Sequence, residues 1–182
     1  MADRALEVRD AGPQVTVQDL GRPGQAHLGV PRSGALDGPA HRLANRLVGN
    51  EESAATLECL GGQLSFRTRS AVTIAVTGAR VPVVVDGRGR DWANAVTVPA
   101  GSLVELGAAT QGLRAYLAVS GGIEVEPVLG SRSTDLLRAR TGAGRRRRRP
   151  PAGVARAVTG PGRGGTHPKT FPRAAAAAGS PR

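Results

Sequence analysis

The chain has 182 residues, with 25 Lys and Arg against 14 Asp and Glu, and it contains a single cysteine, Cys59. One cysteine excludes an intramolecular disulfide framework and a cysteine-based zinc site. No apolar run approaches the roughly 18 residues that a membrane-spanning helix needs, and the charged start of the sequence lacks the apolar segment of a secretory signal. We therefore expect a cytoplasmic protein without membrane contact.

The net charge of +11 is concentrated at one end of the chain. All 14 acidic residues lie within residues 1–137 together with 13 basic residues, whereas residues 138–182 carry 12 basic residues and no acidic one. We therefore divide the chain into a nearly neutral globular part, 1–137, and a basic tail rich in Arg, Ala, Gly and Pro, 138–182. The tail has too little apolar surface to offset a backbone ordering cost of about 1–2 kcal/mol per residue, so we expect it to be disordered.

Three interpretations of the tail stay open. It is a basic arm that binds nucleic acid or another polyanion, a solvated terminus without a role, or the translation of a shifted reading frame. The last follows from the composition, because GC-rich codons specify mostly Arg, Ala, Gly and Pro. The abrupt change near Leu137 favours the shifted frame, and nucleic acid is not the expected partner.

The globular part begins with short β-branched runs. These runs predict strands at Ala5–Val8 and Val15–Gln18, separated by a Gly-Pro turn. The segment 21–38 is rich in glycine and proline and predicts a long loop, a kind of segment that often carries function.

One helix is predicted after this loop. Asp37 is suited to its N-cap and Pro39 to its first turn. Apolar residues recur at helical spacing up to Val48, and Gly49 suits the left-handed position after the helix end. One further turn is expected over Glu51–Ala55.

From residue 56 onward the pattern is that of short strands with turn signals about every 8–12 residues, which predicts a mainly β fold of barrel or sandwich type. A Gly-Gly pair predicts a hairpin between Thr56–Leu60 and Gln63–Arg67. Thr77–Arg80 and the pair Asp86 and Gly87 predict turns. The other predicted strands are Val72–Val76, Val81–Val85, Val96–Val98, Leu103–Leu106 and Leu113–Val119.

Polar side chains are concentrated in the glycine-rich loop, where the backbone can approach a ligand closely. The loop has no phosphate-binding spacing, so a structural loop in which Asp19 caps backbone donors and pairs with Arg22 stays open beside a binding loop. His27 is suited to proton transfer near neutral pH. Ser33 precedes the helix N-terminus, where anions are favoured. A structural role stays open for each of these two residues as well.

The later strands carry further candidates. Glu58 lies in an apolar strand and is either solvated or buried against an arginine, whereas Cys59 is expected to be a core residue and not a nucleophile. Arg114 and Tyr116 share a face of their strand, which suits a carboxylate or planar ligand and equally a surface stack. The hydroxyl-rich turn 130–135 either binds an oxyanion or caps its own backbone.

Six segments, taken in order, resemble one protein family: QDLGRPG, HLGVPRSGALD, HRLANRLVGN, LECLGG, LRAYLAVSGGI and VLGSRSTDL. They resemble the C subunit of 5-oxoprolinase, whose family is also described as biotin-dependent carboxyltransferase or allophanate hydrolase subunit 2 and as the antagonist of a sporulation-kinase inhibitor. The resemblance runs from about Leu6 to Leu137. It implies a cyclophilin-like β-barrel with one main helix, which we expect to be incomplete because the β-rich second half of the family's domain has no counterpart here.

The resemblance also implies a function. It implies a protein that assembles with the A and B subunits of 5-oxoprolinase and, as part of this ATP-dependent hydrolase, opens the cyclic amide 5-oxo-L-proline to L-glutamate. Biotin-dependent carboxyl transfer to urea and a regulatory protein that antagonises a kinase inhibitor stay open as alternatives. ATP is expected at the level of the complex, biotin only for carboxyl transfer, and a metal in neither case. Both reactions need stabilisation of an oxyanion beside a planar amide.

The family motifs imply site residues in this sequence. The implied catalytic set is Asp19, His27 and Ser33, with His27 or Asp19 relaying a proton. Among the substrate-binding residues, Arg22 and Arg114 are expected to bind a carboxylate or phosphate. The whole substrate-binding set is Gln18, Arg22, Asp37, Asn45, Arg114, Tyr116, Ser131 and Ser133.

Overall fold

The computed structural model describes residues 5–135 and the backbone of the short strand 154–156. Within these residues, one α-helix, α1, spans Gly38–Leu47, a 3-10 turn spans Ala26–Leu28, and the strands form two antiparallel sheets. The strands are β1 (Ala5–Asp10), β2 (Gln14–Gln18), β3 (Thr56–Leu60), β4 (Ser65–Thr68), β5 (Val72–Arg80), β6 (Val83–Val85), β7 (Arg88–Arg90), β8 (Val96–Val98), β9 (Leu103–Leu106), β10 (Gln111–Val119) and β11 (Val154–Arg156).

The six-stranded sheet has the order β11-β1-β4-β9-β6-β7, and the five-stranded sheet has the order β2-β3-β10-β5-β8. This confirms the mainly β fold with one main helix, and in the part of the chain that the structure describes the sheets do not close into a barrel. No helix in that part is long and apolar enough to cross a membrane.

The core lies between the two sheets. Strand alternation places Leu57, Cys59 and Leu117 of the five-stranded sheet in one cluster with Phe66 and Val104 of the six-stranded sheet. Burying each such apolar side chain stabilises the fold by roughly 1.5–3 kcal/mol. Burial raises the pKa of Cys59 to about 12, and the charge of the neighbouring glutamate adds to this shift. The prediction of a core cysteine is therefore confirmed.

The other face of the five-stranded sheet is polar, and α1 covers part of it. The register places Thr16 opposite Glu58 and Glu58 opposite Tyr116, so that one polar row crosses three strands. Ala44 of α1 packs against Tyr116 on this face. The hydroxyl of Thr77 donates a 2.7 Å hydrogen bond to the carbonyl of Ala40, which ties the helix to β5.

The predicted helix signals are confirmed. The side chain of Asp37 accepts a hydrogen bond from the backbone N–H of Ala40, Pro39 lies in the first turn, and Gly49 after the helix has φ +76°. The extra turn expected at 51–55 forms as a turn and not as a helix, with the N–H of Ala54 donating to the carbonyl of Glu51.

Two turn predictions are wrong. The Gly-Gly pair does not make a hairpin: β3 pairs with β2 and β10, and Gly61 and Gly62, both with positive φ, carry the chain to the other sheet. The predicted turn at Thr77–Arg80 is part of β5. The pairing shifts register between Gln111 and Ala115 of β10, and Gly78, at φ +79°, remains within β5 beside this irregularity. The turn at Asp86 and Gly87 is confirmed as the connection of β6 and β7.

The tail supplies one strand. Residues 154–156, expected to be disordered with the rest of 138–182, form β11 and pair antiparallel with β1. An edge strand such as β1 offers unpaired N–H and C=O groups that favour this addition. The other tail residues, and with them the remaining expectation of disorder, lie outside the described residues.

Candidate functional site

A cavity of about 220 Å³ lies on the polar face of the five-stranded sheet. Its walls come from β2, β3 and β10, from the glycine-rich loop and from the segment at 134–135. Of the sequence-predicted site residues it brings together Gln18, Ser33 and Arg114. The lining residues are Gln14, Thr16, Gln18, Pro31, Ser33, Gly34, Glu58, Arg114, Thr134 and Asp135.

Glu58 is the centre of the cavity's hydrogen-bond network. Its side chain is 5% exposed, and its Oε1 accepts a 2.7 Å bond from Nη1 of Arg114. Its Oε2 accepts from the hydroxyl of Tyr116 at 2.8 Å and from the backbone N–H of Leu36 at 3.0 Å. Of the two alternatives for Glu58, burial against an arginine is the correct one.

Tyr116 connects this network to the helix. Its hydroxyl accepts a 2.8 Å hydrogen bond from the backbone N–H of Asp37 while it donates to Glu58. Burial is the largest cause and raises the pKa of Tyr116. The hydrogen bond from the Asp37 N–H opposes it, and the hydrogen bond to Glu58 and the charge of that carboxylate raise the pKa further. Tyr116 therefore stays protonated, as a donor to Glu58 has to be.

Two buried side-chain atoms of cavity-lining residues have no hydrogen-bond partner in the part of the chain that the structure describes. They are Oε1 of Gln18, a residue that is 6% exposed, and Nε of Arg114. Leaving a buried donor or acceptor unpaired costs roughly 1–3 kcal/mol. Native structures contain few such atoms, and each calls for an explanation such as an ordered water, an ion or a functional role.

Asp19 lies in a separate cluster that joins the glycine-rich loop to the turn at 131–133. Its Oδ1 accepts hydrogen bonds from the hydroxyls of Ser131 (2.7 Å) and Ser133 (2.6 Å) and from the N–H of Gly21 (2.7 Å). Its Oδ2 accepts from the N–H of Arg132 at 2.6 Å. We call this cluster of Asp19, Ser131 and Ser133 the serine clasp.

The serine clasp determines the charge of Asp19. Burial alone raises the pKa of Asp19, but the bonds from Ser133, Ser131, Arg132 and Gly21 outweigh burial and lower it. A carboxylate that accepts four hydrogen bonds and is held ionised is suited to joining two segments more than to taking up a proton. The structure thus favours the structural alternative for this loop.

Arg22 lies against the same clasp. It is 5% exposed, its Nη2 donates to the carbonyl of Ser133, and its backbone N–H donates to the carbonyl of Arg32 at 2.7 Å. It does not line the cavity, and no ion pair joins it to Asp19. Arg22 and Arg114, expected to act on one ligand, therefore lie in different hydrogen-bond networks.

Close backbone packing shapes the loop beside the cavity. At Gly21, with φ +82°, an added Cβ would lie 2.6 Å from the carbonyl oxygens of Arg32 and Ser33. At Gly34, with φ +93°, it would lie 2.8 Å from the nitrogen of Gly21. Only glycine fits both positions, and this contact sets Ser33 and Gly34 as one wall of the cavity.

Besides the clasp residues, Arg22 and Tyr116, three more sequence-predicted residues lie away from the cavity lining. His27 is exposed, with its ring Nδ1 3.1 Å from the carbonyl of Gly24. Asp37 caps α1. Asn45 is fully buried, where its Nδ2 donates to the carbonyl of Ala54 at 2.8 Å and its Oδ1 accepts from Asn50. The catalytic and binding roles implied for all the site residues stay predictions.

Sequence reasoning missed part of the site. The pattern marks Glu58 as unusual without placing it in the site, it does not single out Gln14 or Thr16, and it includes Thr134 only as part of the turn 130–135. Gln14, Thr16 and Gln18 alternate along β2, and this period-2 run of polar residues is a signal that could have identified the cavity floor. The position of Thr134 beside β2 has no local signal, because only the folded chain brings the turn 130–135 to that strand, where the N–H of Thr134 donates to the carbonyl of Val17.

A second, larger cavity of about 490 Å³ lies elsewhere on the molecule. Arg80 stacks over the ring of Trp92, with its Cζ 5.1 Å from the ring centroid, and the indole N–H donates to the carbonyl of Ala79. None of the sequence-predicted site residues lines it. Its side-chain hydrogen-bonding groups include no unpartnered buried atom, so the smaller cavity is the candidate site.

Comparisons with known proteins agree on one family. The family model described as carboxyltransferase domain, subdomain A and B, matches residues 28–151. The chain is 43% identical over 131 residues to the C subunit of 5-oxoprolinase from Escherichia coli K12, covering 72% of this chain and 42% of that protein. It is 38% identical to urea amidolyase of Saccharomyces cerevisiae, covering 71% of this chain and 7% of that protein.

A solved structure shows the same fold. The crystal structure of the urea amidolyase of K. lactis superposes with a TM-score of 0.71 at 37% identity, covering 74% of this chain and 8% of that one. The chain thus spans less than half the length of the curated relatives that it matches.

Proposed function

Because the chain belongs to the carboxyltransferase family of subdomains A and B, we propose that it acts as the C subunit of an ATP-dependent 5-oxoprolinase complex. The reaction opens 5-oxo-L-proline to L-glutamate, and the partners are the A subunit of the complex together with a protein like its B subunit. The observation that carries the proposal is the small polar cavity around Glu58, whose lining of amide, hydroxyl and charged groups suits a small cyclic amide. The 43% identity to the C subunit of a 5-oxoprolinase supports it.

The chemistry explains what such a cavity has to do. A five-membered lactam is a stabilised amide, and transfer of the γ-phosphoryl group of ATP to its carbonyl oxygen creates a leaving group. Water then adds to the same carbon, and the ring C–N bond breaks as the nitrogen takes up a proton, which leaves γ-glutamyl phosphate. A second water hydrolyses this acyl phosphate to L-glutamate and phosphate. We assign to the cavity residues the binding and orientation of the lactam, because correct placement of the reacting groups supplies much of the catalysis.

A second candidate function is carboxyl transfer to urea within a biotin-dependent complex. The similarity to two urea amidolyases, one of them with a solved structure, favours it. Biotin would supply a carboxyl group carried on a ureido ring. The unpartnered atoms of Gln18 and Arg114 fit a ureide as well as a lactam.

The test is reconstitution with the A and B subunits of 5-oxoprolinase. The full chain is added to these two proteins, and L-glutamate and phosphate are measured with ATP and 5-oxo-L-proline, in parallel with urea and bicarbonate. A chimera in which residues 5–135 replace the aligned part of the E. coli C subunit supplies the remainder of the family's domain. We expect glutamate formation that depends on the chain or on the chimera.

Two results contradict this function. One is the absence of glutamate formation with both the chain and the chimera while the complete E. coli C subunit is active. The other is transfer of a carboxyl group to urea, without opening of 5-oxo-L-proline, when a biotin carboxylase and a biotinylated carrier protein are added with ATP and bicarbonate, which favours the second candidate.

A further inference from the structure

The two unpartnered atoms of the cavity are of opposite kind. Oε1 of Gln18 is an acceptor and Nε of Arg114 is a donor. We propose that the cavity recognises the –CO–NH– edge of a planar amide, with Arg114 donating to the carbonyl oxygen and Gln18 accepting from the N–H. Glu58 is the positioning residue that holds Arg114 for this contact. The inference deepens the proposed function and rests on it for the identity of the amide.

The orientation of the Gln18 amide group is determined by its neighbours. Nε2 lies 3.4 Å from the carbonyl oxygen of Thr134, which can only accept, and 3.1 Å from the hydroxyl of Thr16. The NH₂ end therefore faces Thr134, and Oε1 is the end left without a partner. The side chain is 6% exposed, and its unpaired Oε1 is an acceptor to which the N–H of a ligand can donate.

Arg114 presents the complementary edge. Nη1 donates to Glu58, whereas neither Nη2 nor Nε donates a hydrogen bond to any of the described residues. Nε–H and Nη2–H point the same way along one edge of the guanidinium, so both can donate to a single carbonyl oxygen. The cross-strand pair of Thr16 and Glu58 lies between the two residues. The side chain of Gln18 hydrogen-bonds to Thr16, and that of Arg114 hydrogen-bonds to Glu58.

Glu58 cannot turn away from Arg114 without losing other bonds. Its second oxygen accepts from the hydroxyl of Tyr116 and from the backbone of Leu36. Both donors are fixed, because Tyr116 is fully buried and Leu36 precedes the helix cap. The guanidinium of Arg114 is therefore placed by a carboxylate that is itself placed by two strands and the helix start.

The pairing of Arg114 leaves one edge of its guanidinium for a ligand. Arg114 is the one cation among the described lining residues, and its Nη1 is paired with Glu58. The carbonyl oxygen of an amide can accept from the remaining edge, and the N–H of the same amide can donate to Gln18.

The experiment compares two ligands that differ in one group. 5-Oxo-L-proline has the ring N–H, and the γ-lactone 5-oxotetrahydrofuran-2-carboxylate of the same configuration has a ring oxygen in its place. Calorimetric titration of the full chain gives both dissociation constants. Wild type is expected to prefer the lactam by about tenfold, the effect of one buried hydrogen bond.

Variants separate the two contacts. Gln18→Met is expected to weaken lactam binding by about tenfold and leave lactone binding unchanged, so that the preference disappears. Glu58→Gln is expected to weaken both ligands by about tenfold, because the carbonyl contact is common to them. The matched control is Glu52→Gln, which removes an exposed glutamate paired with Arg46 at the same 2.7 Å and is expected to change neither constant.

Three outcomes overturn the inference: no binding of 5-oxo-L-proline by wild type, an unchanged lactam preference in folded Gln18→Met, or unchanged affinities in folded Glu58→Gln. If Gln18→Met does not fold, Gln18→Glu keeps an acceptor and has to retain the preference. The proposed function fails separately. Binding with the stated preference but without ATP-dependent glutamate formation in the complex contradicts the function and supports the site.

Discussion

At the scale of the residue, Asp19 shows how hydrogen bonding decides the role of a carboxylate. Replacement of Asp19 by Ala leaves two serine hydroxyls and two backbone N–H groups without their acceptor. We expect the free energy of unfolding to fall by about 3 kcal/mol. Denaturant unfolding measures it, and Asp91→Ala, at an exposed position, is the control, with an expected change within about 0.5 kcal/mol. Equal unfolding midpoints would contradict a structural clasp.

A second residue gives the fold a pH dependence. His41 is fully buried, its Nδ1 lies 2.9 Å from the hydroxyl of Thr56, and burial lowers its pKa from the ordinary 6.5. The unfolded chain therefore takes up this proton at a higher pH than the folded protein does. The contribution of neutral His41 to stability is complete above about pH 7. It is lost as the pH falls from 6.5 to the pKa of His41 in the folded protein.

Thermal unfolding of wild type and of His41→Gln between pH 7.5 and 5.5 measures this dependence. The variant is expected to be less stable at pH 7.5, because it loses packing, but to show a smaller decrease on acidification. Parallel decreases in the two proteins would show that another group is responsible.

At the scale of the element, the glycine-rich loop depends on its close contact at Gly34. Gly34→Ala combines left-handed strain with a Cβ 2.8 Å from the Gly21 nitrogen, whereas Gly24→Ala, at φ +82° with nothing within 4 Å, adds strain alone. We expect losses of about 3 and about 1 kcal/mol, respectively. Because Gly34 lines the cavity, its variant is also expected to bind 5-oxo-L-proline more weakly. Equal effects of the two changes on unfolding and binding would contradict this account.

The elements that the sequence predicts well are those with local signals. Asp37, Pro39 and Gly49 mark the ends of α1, and β8 and β9 have the predicted bounds. Strand pairing was not predictable in the same way, because a Gly-Gly pair between two strands signals equally a hairpin and a crossing between sheets. The serine clasp joins residues more than 110 positions apart, and no local pattern specifies such a contact.

The same limit applies to the candidate site. Arg114 and Tyr116 were predicted to share a face, and their register with Glu58 is what turns that face into a network. Alternation assigned Glu58 to one face of its strand but could not say which strand lies beside it. The site residues implied by the family lie mainly in three places: the cavity, the clasp and the helix contacts.

At the scale of the whole molecule, each sheet uses one face for the core, and the five-stranded sheet uses its other face for the helix and the cavity. α1 packs at one part of this polar face, around Ala44, and the cavity occupies another part, around Glu58. Tyr116 contacts both, since it packs against the helix and donates to Glu58. The position of the helix and the geometry of the cavity are thus coupled through one side chain.

The most direct test of the central claim is a crystal structure of the full chain with 5-oxo-L-proline. The account predicts that the lactam lies over the cross-strand pair of Thr16 and Glu58. Its carbonyl oxygen is at the Nε and Nη2 edge of Arg114, and its N–H is within hydrogen-bond distance of Oε1 of Gln18. A lactam bound in the cavity beside Trp92, or bound beside Glu58 with its ring N–H turned away from Gln18, would contradict it.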